Sequence, residues 1–260
     1  MEQVLVEVCV DSVESAVAAG RGGAHRVELC SNLLDGGVTP SSGLIATVRS
    51  KISIGLHVMI RPRGGDFIYS DDEFQMMQHD ITVSKELGAD GVVLGILDVD
   101  GKVEAGRTRQ LVELAAPLKV TYHRAFDMSA DLFQALEHLQ TTGVHCILTS
   151  GGKRTATEGA ETLKRLVQAA NGKVGIMAGG GIEDHNVAAL IGKTGVRQIH
   201  ASLKYPVASS MRYQNPRISM GTTMGREYER LVVREDRVEK LMRAATGRAE
   251  KTRARGVKTL

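Results

Sequence analysis

Short runs rich in β-branched residues alternate along the chain with longer stretches of helical spacing. The runs are LVEVCV (5–10), RVELCS (26–31), LHVMIRP (56–62), GVVLGIL (91–97), KVTYHRAF (119–126), HCILTSG (145–151), VGIMAGGG (174–181) and RQIHASL (197–203). Between them, DSVESAV (11–17) opens on Asp11 with Glu14 three residues on, a near relative of a capping box. Asp71, Asp72 and Glu73 load the first turn of another helix, which the pattern ends at Gly88. DLFQALEHL (131–139) carries apolar residues at helical spacing ahead of Gly143. Strict alternation of strand and helix means βα units and a parallel sheet. Eight units in roughly 200 residues predict an α/β fold, a single (β/α)8 TIM-type barrel, rather than an open doubly wound sheet. GRGG (20–23) follows the first helix, the wrong place for a dinucleotide fingerprint.

Within each strand, residues two apart share a face. The helix-facing side of a barrel strand is apolar, so Val6, Val8 and Val10 go outward and Glu7 and Cys9 inward. The same phase sends Glu28 and Cys30 inward, opposite Val27 and Leu29. It groups His57 with Met59 and Arg61, Thr121 with His123, and His200 with Ser202. A buried charge without a partner is very costly, so Glu7, Glu28, Arg61 and His123 are expected to meet as one network. Such a network is either a paired core filling or a site, and barrel enzymes keep their sites at strand C-terminal ends.

The stretch from Tyr205 to Gly221 holds Pro206, Pro216 and several Ser and Asn, and reads as a long loop after the eighth strand. Helical pattern resumes at EDRVEKLM (235–242). The barrel therefore takes residues 1–242, followed by a basic, poorly ordered C-terminal extension over 243–260. That extension holds six Lys or Arg against one Glu; the net charge of +3 thus hides a body of about −2. Aromatics make up 3% of the chain and Trp is absent, which removes the stacking platforms that single-stranded nucleic acid needs. No nucleic-acid partner is expected. No apolar run reaches membrane-spanning length and three cysteines make no disulfide framework, so a reduced, cytoplasmic protein is expected.

The loops add anion chemistry. RPRGGDF (61–67) sets Arg61 and Arg63 beside the barrel mouth, and a guanidinium fork grips two oxygens at once. TSGG (149–152) and AGGGI (178–182) offer backbone N–H groups after the sixth and seventh strands, a frequent phosphate seat in barrels. Arg61, Arg63, Ser150, Gly151, Gly179 and Gly180 are the expected anion ligands. Tight βα turns also need glycine, so the runs have a structural reading as well.

With VEVC, VELCS, DGGVTPS (35–41), MIRPRGGDFIYS (59–70), TYHRAFDM (121–128), ILTSGG (147–152) and SSMRY (209–213) in place, the chain resembles the CutC family of copper homeostasis proteins over about Val6 to Met220. The resemblance implies a cytoplasmic TIM-type barrel, a homo-oligomer (dimer or tetramer) linked to copper tolerance and intracellular copper trafficking. Its Cu(I) thiols fall on Cys9 and Cys30, and its site carboxylates, arginine and histidine on Glu7, Glu28, Arg61 and His123. Thiolates on adjacent strands suit Cu(I), a soft ion, although two inert core cysteines would show the same spacing. Flanking glutamates are expected to raise the thiol pKa values. The alternative is a barrel enzyme of isomerase or lyase type acting on a small anionic or phosphorylated ligand. Glu7 or Glu28 would then serve as base, His123 as acid and Arg61 as anion holder.

Overall fold

The computed structural model describes residues 4–220 and 226–247. Eight parallel strands close on themselves: β1 (Leu5–Val10), β2 (Arg26–Leu29), β3 (Gly55–Met59), β4 (Gly91–Leu94), β5 (Lys119–Tyr122), β6 (Cys146–Thr149), β7 (Gly175–Gly179) and β8 (Gln198–Ala201). Helices α1 (Val13–Arg21), α2 (Ser42–Arg49), α3 (Asp71–Glu86), α4 (Ala105–Ala115), α5 (Leu132–Gln140), α6 (Ala160–Ala170) and α7 (Val187–Thr194) separate them, giving the (β/α)8 barrel that the alternation predicts. Closure comes from β1 against β8, which aligns Leu5 with Gln198 and Glu7 with His200.

The period-two phase holds. Val6, Val8, Val10, Val27, Leu29 and Val58 share one apolar shell with Ala16, Ala19, Ile45 and Val48 of the helices. Cys9, Cys30, Met59 and Val93 form a separate cluster inside the barrel, and Cys146, Leu148 and Met177 another. Side-chain oxygens fix where helices start, by accepting the otherwise orphaned N–H groups of the first turn. Ser12, one residue past the expected Asp11, caps α1. Ser70 and Glu73 make a reciprocal capping box on α3, and Asp131 caps α5.

After the barrel the structure departs from the expected long loop. Lys204–Ala208 forms β9, antiparallel to β10 (Glu229–Val233), with Pro206 opposite Leu231. A strand with one neighbour tolerates proline, because the missing N–H falls on the unpaired edge. The backbone N–H of Val233 donates to Ser15 Oγ at 3.1 Å and ties this hairpin to α1. Helix α8 (Glu235–Thr246) then buries Val238, Leu241 and Ala245. It runs past the expected boundary at residue 242; residues 248–260 of the predicted basic extension lie outside the described residues. Among the described residues no helix is long and apolar enough to cross a membrane.

Candidate functional site

Register assembles the interior. Pairing of β1 with β2 sets Glu7 beside Arg26 and Cys9 beside Glu28, while β8 brings His200 to the other side of Glu7. Glu7 is fully buried and doubly held: Arg26 Nε donates to Oε2 at 2.5 Å, and His200 Nδ1 lies 2.7 Å from Oε1. Burial pushes the Glu7 carboxyl up, but the Arg26 charge and the His200 contacts outweigh it and hold the group well below the usual carboxylate range. Glu28 goes the other way. Burial and the neighbouring Cys9 and Glu7 charges raise its carboxyl, against the pull of His200. The two environments thus push the carboxyls apart, Glu7 down and Glu28 up, within one site.

The thiols split in the same manner. Cys9 Sγ and Cys30 Sγ stand 4.0 Å apart, about twice a disulfide bond length, and both cysteines are free. Cys30 has one proton for two acceptors, Cys9 Sγ and Glu28 Oε2, the latter 3.5 Å away. The Cys30 hydrogen bond, opposed by burial and aided by His200, lowers the Cys9 thiol to about 5. That hydrogen bond, burial and the Cys9 charge push Cys30 well up. The flanking-glutamate expectation thus holds for Cys30 and fails for Cys9, where a thiol donor and a cationic histidine decide. Burial lowers His200, but Glu28, Cys9 and Glu7 overcome it and raise it well above the ordinary histidine value. Cys146, pushed up to about 12 mainly by burial, lies apart with its Sγ 3.6 Å from Gln198 Oε1.

Arg61 and His123 do not join this network. Arg61 lies two residues past the end of β3, and its Nη atoms donate to the carbonyls of Asp35 (3.0 Å), Gly37 (2.9 Å) and Gly65 (2.8 Å). The guanidinium lies 5.0 Å over the Phe67 ring, and no carboxylate among the described residues pairs with it. Arg26, unassigned from sequence, takes the role that the phase argument gave to Arg61. His123 sits 5.1 Å from the Phe67 ring, with Nδ1 accepting from Ala125 N–H at 3.1 Å. Burial and the Arg61 charge lower it to about 3, so it is neutral and carries its proton on Nε2, which has no partner. Gly95 makes room for this ring: a Cβ there would lie 2.6 Å from the imidazole.

The expected anion ligands are dispersed. Arg63 is neutralised by Glu73 (2.6 Å) and Asp66 (3.0 Å). The N–H groups of Ser150 and Gly152 point at an anion, but it is an internal one: the Asp127 carboxylate accepts from both, from Thr149 Oγ1 and from Arg124 Nε. Gly151 N–H donates to Thr149 Oγ1 instead. A Cβ on Gly179 would strike Leu148, and the Gly180 carbonyl accepts from Ala156 N–H. Neither glycine faces the cavity at the barrel mouth. That cavity measures about 510 Å³ and is lined by Cys9, Glu28 and His200 together with the trio Arg61, Phe67 and His123. Met59 and Leu148 add apolar surface.

Two clusters have metal-ligand geometry at the centre of the barrel. Cys9, Glu28 and Cys30 can each place a donor atom within 4.8 Å of the others, and so can Glu7, Glu28 and His200. The first is the softer set. The model of the CutC family matches residues 4–205. The chain belongs to the CutC family. A CutC family protein of Chromobacterium violaceum is 46% identical over 244 residues, covering 94% of this chain and 98% of that one. The human copper homeostasis protein cutC homolog is 47% identical over 220 residues, 85% of this chain and 81% of its own. The crystal structure of a CutC from Streptococcus agalactiae superposes with a TM-score of 0.73 at 35% identity, covering 77% of this chain and 99% of that chain.

Proposed function

We propose that this CutC family member serves copper homeostasis by holding Cu(I) between Cys9 and Cys30, with Glu28 beside them. The observation that carries the reading is the thiol pair itself: two reduced sulfurs 4.0 Å apart inside the barrel, one of which contributes to an open cavity. Soft thiolates select Cu(I) over harder ions. The names of the mammalian relatives, copper homeostasis protein cutC homologs, agree with it. Cys9 is poised as the entry ligand, since its thiol is lowered to about 5 and its surroundings open on the cavity. Cys30, deeper and protonated, closes the site by giving up its proton.

Anaerobic titration with Cu(I) in competition with a chromophoric chelator tests this. One equivalent per chain is expected, with about one proton released per ion at neutral pH. Cys9→Ser and Cys30→Ser should each remove most of the affinity, and Cys146→Ser should leave it unchanged. Unaltered affinity in the Cys9→Ser/Cys30→Ser double variant would sink the reading.

A further inference from the structure

The cavity is far larger than a metal ion needs, and its volume of about 510 Å³ falls within the range of small-molecule sites. Its chemistry is uneven. Arg61 is 5% exposed and has no carboxylate opposite; its Nη atoms donate to three main-chain carbonyls, while its Nε–H has no partner. A buried cation without a counter-charge is a costly arrangement that an anion would relieve. His123, 4% exposed, adds an N–H at Nε2 with no acceptor. Its direction of donation follows from geometry: Nδ1 already accepts from Ala125, so Nε2 is the donor. Both groups border the same cavity and both pack on Phe67. Lys204 adds a further cation to the lining, while Leu33, Met59 and Leu148 supply apolar wall.

We infer that the barrel mouth binds a small organic carboxylate, its oxygens toward Arg61 and the Nε2–H of His123 and its apolar body against Phe67, Met59 and Leu148. A phosphorylated ligand fits less well. The backbone donors after β6 that would receive a phosphate are already engaged by the Asp127 carboxylate. A carboxylate needs only a guanidinium and one further donor, which is the pair left over. The site stands independently of the copper reading, because neither Arg61 nor His123 belongs to the thiol cluster.

The test is ligand-observed NMR and calorimetry on the full chain with three probes of this class, benzoate, hexanoate and 2-oxobutanoate. Benzamide serves as neutral isostere and inorganic phosphate as the competing anion. At least one carboxylate is expected to bind, benzamide at least tenfold more weakly than benzoate should benzoate be that ligand, and phosphate not at all. Arg61→Met should weaken the bound carboxylate roughly tenfold or more, and His123→Phe should also weaken it, since hydrogen bonds to a charged group are the strong kind. Cu(I) affinity should survive Arg61→Met, which also shows that this variant is folded. If Arg61→Met does not fold, the wild-type spectrum decides: ¹⁵N-labelled histidine should show His123 Nε2 shifting on carboxylate addition. Failure of all three carboxylates, equal binding of benzoate and benzamide, binding of phosphate in their place, or an unmoved His123 resonance would each overturn the assignment. Loss of copper binding in the cysteine variants with carboxylate binding intact would leave the two sites separate, as inferred.

Discussion

Arg26 and His123 show how differently two polar side chains can be buried. Arg26 is the cation that keeps Glu7 ionised in the barrel, so Arg26→Met should cost about 3 kcal/mol or more in chemical denaturation by leaving a buried carboxylate unpaired. Adding Glu7→Gln should recover a large part of that loss; a double variant as unstable as the single one would show that packing, rather than charge, is what Arg26 supplies. Arg61→Met should lack this signature, since no carboxylate depends on it. His123 is buried neutral, and its value of about 3 lies below the ordinary 6.5 of an unfolded chain. A depressed histidine contributes stability that is fully present above pH 6.5 and drains away as the pH falls toward 3, by up to about 1.4 kcal/mol per pH unit while only the unfolded state holds the proton. His57, lowered to about 4, acts in the same sense. The raised Glu28 carboxyl acts in the opposite sense, so the decisive quantity is the difference between proteins: any fall in melting temperature between pH 6.5 and 4 should be smaller in His123→Phe than in the parent. An equally steep slope in the variant would place the proton uptake elsewhere. Arg26 was within reach of the sequence, because it precedes Glu28 by two residues and must share its face. Its place at the opening of the strand, where a charge usually marks the boundary, masks that role.

At the scale of elements, the loop after β6 behaves as an anion seat that carries its own anion. The short 3-10 turn at Arg124–Met128 delivers Asp127 to the N–H groups of Ser150 and Gly152. Asp127→Ala should destabilise by about 1–3 kcal/mol, the usual penalty for buried donors left without an acceptor. The emptied seat should then respond to phosphate: the melting temperature of the variant should rise with phosphate beyond the general effect of ionic strength, and that of the parent should not. Parallel curves for the two proteins would mean that the loop collapses once the carboxylate is gone. Strands and helices were legible because each repeats a period, two or 3.6 residues, over several residues. This internal salt link was not, because it depends on the path of one irregular turn. The β9–β10 hairpin escaped for a related reason: its proline and polar neighbours are turn residues by composition, and only the partner strand twenty residues on makes them extended.

For the molecule as a whole, the alternation of strand and helix was enough to predict a closed barrel, and the inward phase of Glu7, Cys9, Glu28, Cys30 and His200 followed from it. The pairings were not predictable, because they cross the greatest distances in sequence. Glu7 and His200 meet only where β8 completes the circle with β1. That seam gives the site a history during synthesis. The thiols of Cys9 and Cys30 leave the ribosome early, within the β1–α1–β2 segment, whereas His200, which helps lower the Cys9 thiol, is added about 170 residues later. At roughly 5–20 residues per second, the growing chain exposes both thiols without their histidine for on the order of ten seconds or more. For that interval the Cys9 thiol lacks the contribution of His200, which reaches it only when the last barrel strand is in place.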